Sequence, residues 1–422
     1  MINSRLFLIV LVSTAISCTS GQNSSATNTV TIGAERLLTD YRPLVEGKRL
    51  GIITNHSAVV GPDTLHLIDL LHEDPGITIK ALFGPEHGLR GQADAGEPVD
   101  DSVDERTGAP VYSLYGENRR PTMQMLEGVD VLIFDMQDVG ARFYTYPATM
   151  GRSMISAAEA GIPFLVLDRP NPLGGNRMEG FIREDEFISG IGLFPTPVTH
   201  GMTVGELALM IKGEKWMDGL EDLELHIIEI DGWNRDMFWD KTGLPWIPPS
   251  PNIPDIETAW IYPGTCFFEG TTASEGRGTY EPFLNVGALH VDGQKIADWF
   301  NERRLKGVHA SGTVFTPKSI PGMSREPKLP GTEIEGVRLE VTDAADLYPV
   351  AAGIHLLELF YRALPDTARH DFFIERGMQV RAGNEIVQQM IENGAGAAAI
   401  TDLWQEDVER FILQRKPYLI YE

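Results

Sequence analysis

Ile77-Thr78-Ile79-Lys80-Ala81-Leu82-Phe83-Gly84-Pro85-Glu86-His87-Gly88-Leu89-Arg90-Gly91 is the stretch on which the reading of the chain turns. The run ending at Phe83 has the length and composition of a buried strand, and Gly84-Pro85 stops it. Glu86, His87 and Arg90 then crowd the turn that follows. A second junction has the same form: Val129-Asp130-Val131-Leu132-Ile133-Phe134-Asp135 enters Met136-Gln137-Asp138-Val139-Gly140-Ala141-Arg142-Phe143-Tyr144-Thr145-Tyr146. Upstream, Arg49 to Thr54 leads into Asn55-His56-Ser57; downstream, Ile162 to Asp168 leads into Arg169-Pro170-Asn171-Pro172. Four apolar strands whose polar residues gather at their carboxyl ends predict a doubly wound parallel sheet, with a ligand cleft beyond those ends.

The intervening segments fit that reading. Asp63 to Glu73, with Asp63 as N-cap, and Ala148 to Ala160 have helical patterning, and strand-helix-strand units place their strands parallel. Gly91 to Arg120 is polar except for an apolar clump at Val111 to Tyr115, and is expected to cover the site as a long functional loop. The character of the chain changes around Thr199 to Thr203. Thr203 caps a helix over Val204 to Lys212, and Leu223 to Ile230 reads as a strand. Pro245 to Pro254 must be extended because each proline bars its predecessor from the helical region, making it a linker or a pinned wall of the cleft. A second glycine-rich loop holds Glu269, Ser274, Glu275 and Arg277. The remainder reads α/β: helices over 293–305, 350–364, 384–393 and 402–414, and strands near 312–315 and 337–342.

With 422 residues the chain favours two domains. Its net charge of -25 argues against a nucleic-acid partner, and an anionic ligand would need a local group of arginines. At the amino terminus Arg5, the apolar run Leu6 to Val12 and the small residues Ser13, Ala15 and Ser17 read as a secretory signal. Ala15-Ile16-Ser17-Cys18 resembles a bacterial lipobox, so Cys18 is expected to carry a lipid, residues 1–18 to form a signal peptide and residues 19–30 a polar tether. The expected location is periplasmic or at the cell surface, with the membrane reached only through the anchor. Cys266 is the only other cysteine, and no disulfide is expected.

For chemistry, the loops offer Glu86, Asp135, Asp138, Asp168 and Glu275. Glycoside cleavage uses one carboxyl group as acid and a second about 5–5.5 Å or about 6.5–9.5 Å away, according to stereochemical outcome. Glu86, fixed between Pro85 and Gly88, is the stronger candidate acid, against the plainer reading of a cap or a partner of Arg90. Asp138 is better placed to reach a ligand than Asp135, and Asp168 beside Arg169 reads most simply as a salt bridge. Arg90, Arg142 and Arg277 could grip a carboxylate. Tyr144 and Tyr146 either stack on a sugar or fill the core. Thr272-Ala273-Ser274-Glu275-Gly276 approaches a nucleophile elbow without its first glycine, a weaker esterase reading through Ser274. The absence of a P-loop, a strand-coupled Gly-x-Gly-x-x-Gly and a His-Glu-x-x-His pair leaves no cofactor or metal expected.

Gly84-Pro85-Glu86-His87-Gly88-Leu89-Arg90-Gly91, the Asp135 to Tyr146 stretch, Asp168-Arg169-Pro170-Asn171-Pro172 and Ser274-Glu275-Gly276-Arg277-Gly278-Thr279 together resemble the bacterial exo-β-N-acetylmuramidases, long catalogued as a domain of unknown function. The resemblance implies a Rossmann-like doubly wound parallel sheet domain, a smaller α/β domain and a cleft between them. On this chain the division falls at 31–202 and 203–422. It also implies release of N-acetylmuramic acid from non-reducing ends of peptidoglycan fragments. Glu86 stands on the family's active-site glutamate, and Asp138 is carried provisionally as the second catalytic group. Asn55, His87, Arg90, Asp135, Arg142, Tyr144, Tyr146, Asp168, Arg169, Asn171, Glu275 and Arg277 are the expected substrate-binding set. A non-catalytic muropeptide-binding lipoprotein is the alternative.

Overall fold

The computed structural model describes residues 30–85, 89, 101–116 and 118–422. Cys18, Glu86, His87, Arg90 and the first ten residues of the expected covering loop therefore lie outside the described residues.

Six parallel strands form the main sheet: β1 (Arg49–Thr54), β2 (Thr78–Gly84), β3 (Pro110–Ser113), β4 (Val131–Asp135), β5 (Phe164–Leu167) and β6 (Leu225–Ile228). They lie in the order β3-β2-β1-β4-β5-β6, with the two-residue strand Ser102–Val103 antiparallel on the outer edge of β3. The order reverses between β1 and β4, where Ile53 pairs with Phe134 and Thr54 with Asp135. Such a reversal opens a crevice beyond the carboxyl ends.

Apolar residues run almost without break along the central strands because both faces are covered. Leu50, Ile52, Val131, Ile133 and Leu165 enter one core, while Ile53, Leu132, Phe134, Phe164 and Val166 enter the other. Helix α1 (Leu67–Glu73) packs on the first face through Leu67, Ile68 and Leu71. On the second lie α2 (Tyr146–Ala160) and α3 (Val204–Gly213), the latter opened by a reciprocal Thr203–Glu206 capping box. Helix α1 begins later than expected and is capped by His66 rather than Asp63, because Leu65–His66 turns back to pair with Val59–Val60.

The second unit contains α4 (Ile256–Thr265), β7 (Asn285–Ala288), α5 (Gly293–Glu302), β8 (Val308–Phe315), β9 (Ile334–Val341) and α6 (Pro349–Ala363). Its antiparallel sheet has the order β7-β9-β8. Helices α4 and α6 meet backbone to backbone: a Cβ at Gly264 would lie 1.9 Å from the Pro349 carbonyl, and one at Gly353 would lie 2.2 Å from the Gly264 carbonyl.

The expected division at residue 202 needs correction. Both α3 and β6 complete the first sheet, so that unit continues beyond residue 228. The chain also comes back: in α7 (Gln405–Arg415), Val408 packs in the second core and Phe411 in the first. Arg415 donates to the carbonyls of Gly175, His200 and Gly201, and Tyr421 donates to Asp168.

Candidate active site

The crevice wall starts where β1 ends. Asn55 Oδ1 accepts from the Ser57 amide (3.0 Å) and hydroxyl (2.6 Å), while its Nδ2 donates to the Tyr146 hydroxyl at 2.7 Å. Tyr146 in turn donates to the Pro249 carbonyl at 2.6 Å, and His56 Nε2 meets the Pro248 carbonyl at 2.7 Å. The proline-rich segment is thus a wall pinned across the strand ends, and Asn55 is one of its buried fasteners. Tyr146 combines both roles expected of it, since it is buried yet borders the cavity described below.

The charged residues closing β4 and β5 are mostly turned inward. Arg169 Nε and Nη2 donate to the two oxygens of Asp135 at 2.5 and 3.0 Å, and both side chains are buried. The expected Asp168–Arg169 bridge is replaced by this pair. Asp168 instead accepts from Thr203 Oγ1 (2.7 Å), the Gly205 amide (2.8 Å) and Tyr421 (2.6 Å); burial outweighs these bonds and pushes its carboxyl up to about 7. Asn171 shapes its own turn, accepting from the Leu173 amide and donating to the Met202 carbonyl.

Arg142 is likewise committed. It donates to four carbonyls, those of Phe181, Thr196, Arg381 and Ala382, at 2.6–2.9 Å, and pins the β4 loop to the second unit. Burial, reinforced by the charge of Arg183, lowers it to about 9. Asp138 is buried, accepts from the Gly140 amide at 2.8 Å, and is pushed up to about 7 by desolvation. It is not among the residues bordering the cavity described below, and its Oδ1 is buried with no hydrogen-bond partner among the described residues.

Between the two units lies a cavity of about 560 Å³, within the roughly 300–1,000 Å³ of small-ligand pockets. Its aromatic wall is Tyr144, Tyr146 and Tyr262; Tyr144 packs edge-on to the other two, at 4.8 and 6.3 Å between ring centres. Glu269 and Arg277 form a charged floor. Arg277 donates to Glu269 at 2.7 and 3.2 Å, and Arg381 donates to the other oxygen at 2.6 Å. Burial alone would raise Glu269, but the two guanidiniums prevail and hold it at about 2. Glu275 sits deeper, 3.0 Å from Lys328 and 3.6 Å from Arg277. Ser274 is buried with its hydroxyl accepting from the Gly276 amide, which removes the esterase reading.

The cavity therefore unites Tyr144, Tyr146 and Arg277 of the expected residues. It adds Arg119, Arg152, Tyr262 and Glu269, which the sequence reading did not select. Tyr262, Cys266 and Glu269 recur at i, i+4 and i+7, a helical stripe that runs from α4 into the turn after it. That spacing was the available signal for two of them.

Family models for the N-terminal and C-terminal parts of the exo-β-N-acetylmuramidase NamZ match residues 50–257 and 260–421. The chain belongs to the exo-β-N-acetylmuramidase family. It is 43% identical over 392 residues to the peptidoglycan β-N-acetylmuramidase NamZ of Bacillus subtilis, covering 93% of this chain and 91% of that protein. Two crystal structures of DUF1343 family proteins from Bacteroides fragilis are similar to it with TM-scores of 0.84 and 0.77, at 35% and 36% identity. Each similarity covers 93% of this chain and 99% of the other. The family models divide the chain close to residue 258, well past residue 202 and in keeping with the membership of β6 in the first sheet.

Proposed function

We infer that the protein is an exo-acting glycoside hydrolase that releases N-acetylmuramic acid from the non-reducing ends of peptidoglycan fragments. The observation that carries this reading, beside family membership, is the cavity itself. It is large enough for a small ligand, walled by tyrosine rings, and lined among the described residues by Arg119, Arg152 and Arg277 in a chain of net charge -25. Aromatic faces suit the apolar face of a sugar, and muramic acid carries a lactyl carboxylate that needs placed cations.

Two guanidiniums hold Glu269 well below the ordinary carboxylate range, which makes it a poor proton donor, and the acid role is assigned to Glu86 because the Gly-Pro-Glu-His-Gly motif matches the family's active-site glutamate. Asp138 is assigned no direct contact with the sugar. The deciding experiment is turnover of a chromogenic N-acetylmuramide by the wild type and by Glu86→Gln. We expect a loss of at least about 100-fold in kcat. A folded variant with undiminished turnover removes Glu86, and a wild type that binds the muramide without forming product removes the hydrolase reading.

Cys18 and the apolar run before it support a lipid-anchored protein at the periplasmic or outer surface, beside the wall from which its substrate comes. Cys18→Ser would then release the protein from membranes into the soluble fraction.

A further inference from the structure

Among the described residues three arginines border the cavity, and they differ in how their charge is answered. Arg277 is bound by Glu269 and faces Glu275, while Phe283 lies under its guanidinium at 5.2 Å. Arg119 and Arg152 have no acidic partner among the described residues, and each lies within the other's field. Their proximity is built by the fold. Arg152 stands on α2, and the segment carrying Arg119 is strapped to the same helix by Arg120–Glu159 at 2.8 Å and by the Ser156 hydroxyl donating to the Pro121 carbonyl at 2.7 Å. Arg152 is half-buried, and desolvation together with the charge of Arg119 disfavours its proton. Two adjacent cations facing a cavity, with no carboxylate partner among the described residues of a strongly acidic chain, are complementary to an anion that arrives with the ligand.

We propose that Arg119 and Arg152 are specificity-determining residues that hold the lactyl carboxylate of a terminal muramic acid, and that Arg277 does not. This rests on the hydrolase reading above and names the group that sorts its substrates. Tyr146, Thr149 and Arg152 follow one another at three-residue intervals along α2, and all three border the cavity. From Tyr146 to Arg152 the helix rises roughly 9 Å, enough for a sugar ring lying near the tyrosines to extend its ether-linked acid toward the arginines. The lactyl group is what distinguishes muramic acid from N-acetylglucosamine, so these two side chains supply the discrimination. The planar guanidinium fork suits a carboxylate better than an ammonium does.

The test compares wild type, Arg119→Gln, Arg152→Gln and Arg152→Lys on p-nitrophenyl N-acetylmuramide and on the same glycoside with its lactyl acid converted to a neutral methylamide. Binding of free N-acetylmuramic acid is measured by calorimetry beside it. For each Gln variant we expect KM for the acid to rise about 10- to 100-fold. We also expect kcat to change little, KM for the methylamide to stay put, calorimetric affinity to fall in parallel, and Lys to restore part of the loss. Unchanged KM and affinity, or equal losses on acid and amide, overturn the proposal. A wild type that binds muramic acid but turns over neither glycoside overturns the hydrolase reading alone, and the calorimetry then still decides whether these arginines read the carboxylate.

Discussion

The turns that close β4 and β5 and the cavity floor are both built from carboxylates and guanidiniums, yet they serve opposite ends. In the turns, Asp135 binds Arg169, Asp168 binds the cap of α3, and Arg142 fills four carbonyls, all away from water. On the floor, the Glu269–Arg277 pair retains 19% and 27% side-chain exposure and borders open volume. The comparison teaches that a charged residue at a strand's carboxyl end is a ligand contact only when its partners leave part of it uncommitted. Where most of its polar atoms are taken up by protein, the residue holds the loops that carry the site.

The contrast can be broken by making the same change in both places. Asp135→Asn leaves Arg169 buried and unpaired, so we expect a loss of about 3–5 kcal/mol in denaturant unfolding with kcat per folded molecule retained. Lost activity without lost stability would place Asp135 in the site. Arg142→Met strips donors from four carbonyls and should cost about 3 kcal/mol, again read by unfolding.

The next effect is one of pH. Asp138 is protonated in both states below about pH 4; between there and its folded value of about 7, the unfolded chain ionises first. Its contribution to stability is therefore lost as pH rises through that window. Asp138→Asn should reduce the difference in unfolding free energy between pH 5 and pH 7 by about 2–3 kcal/mol. Glu269 has the opposite sign, stabilising above its ordinary value and losing that contribution as pH falls toward 2. Glu269→Gln should cost about 2 kcal/mol because the pair is only partly buried, and, unlike Asp135→Asn, it should also reduce kcat/KM. The smallest change is expected from Arg120→Ala, which breaks an exposed pair: a few tenths of a kcal/mol in stability, with a modest rise in muramide KM as the strap on Arg119 slackens.

The parallel strands were legible because a sheet covered on both faces writes itself as unbroken apolar runs. β3 was not, since its four residues sit in a polar stretch and gain their place only by pairing with Leu82, Phe83 and Gly84. The strand near Leu225 was seen but assigned to the wrong unit, because sequence order says nothing of which sheet edge a strand will join. α4 escaped notice behind the proline run and its own Pro263. Within the site, Tyr144, Tyr146 and Arg277 were legible as polar or aromatic residues in marked loops. The true partners of Arg142, Asp168 and Arg169 lie 34 to 253 positions away, and no local spacing announces them.

The second unit departs from the first near residue 257, and α7 leads the chain back into it. Arg142 adds a further fastening through the carbonyls of Arg381 and Ala382, and Phe143 and Phe181 of the first unit are packed in the core of the second. The tyrosine wall is therefore shared property: a change in the packing of either unit reaches the shape of the cavity.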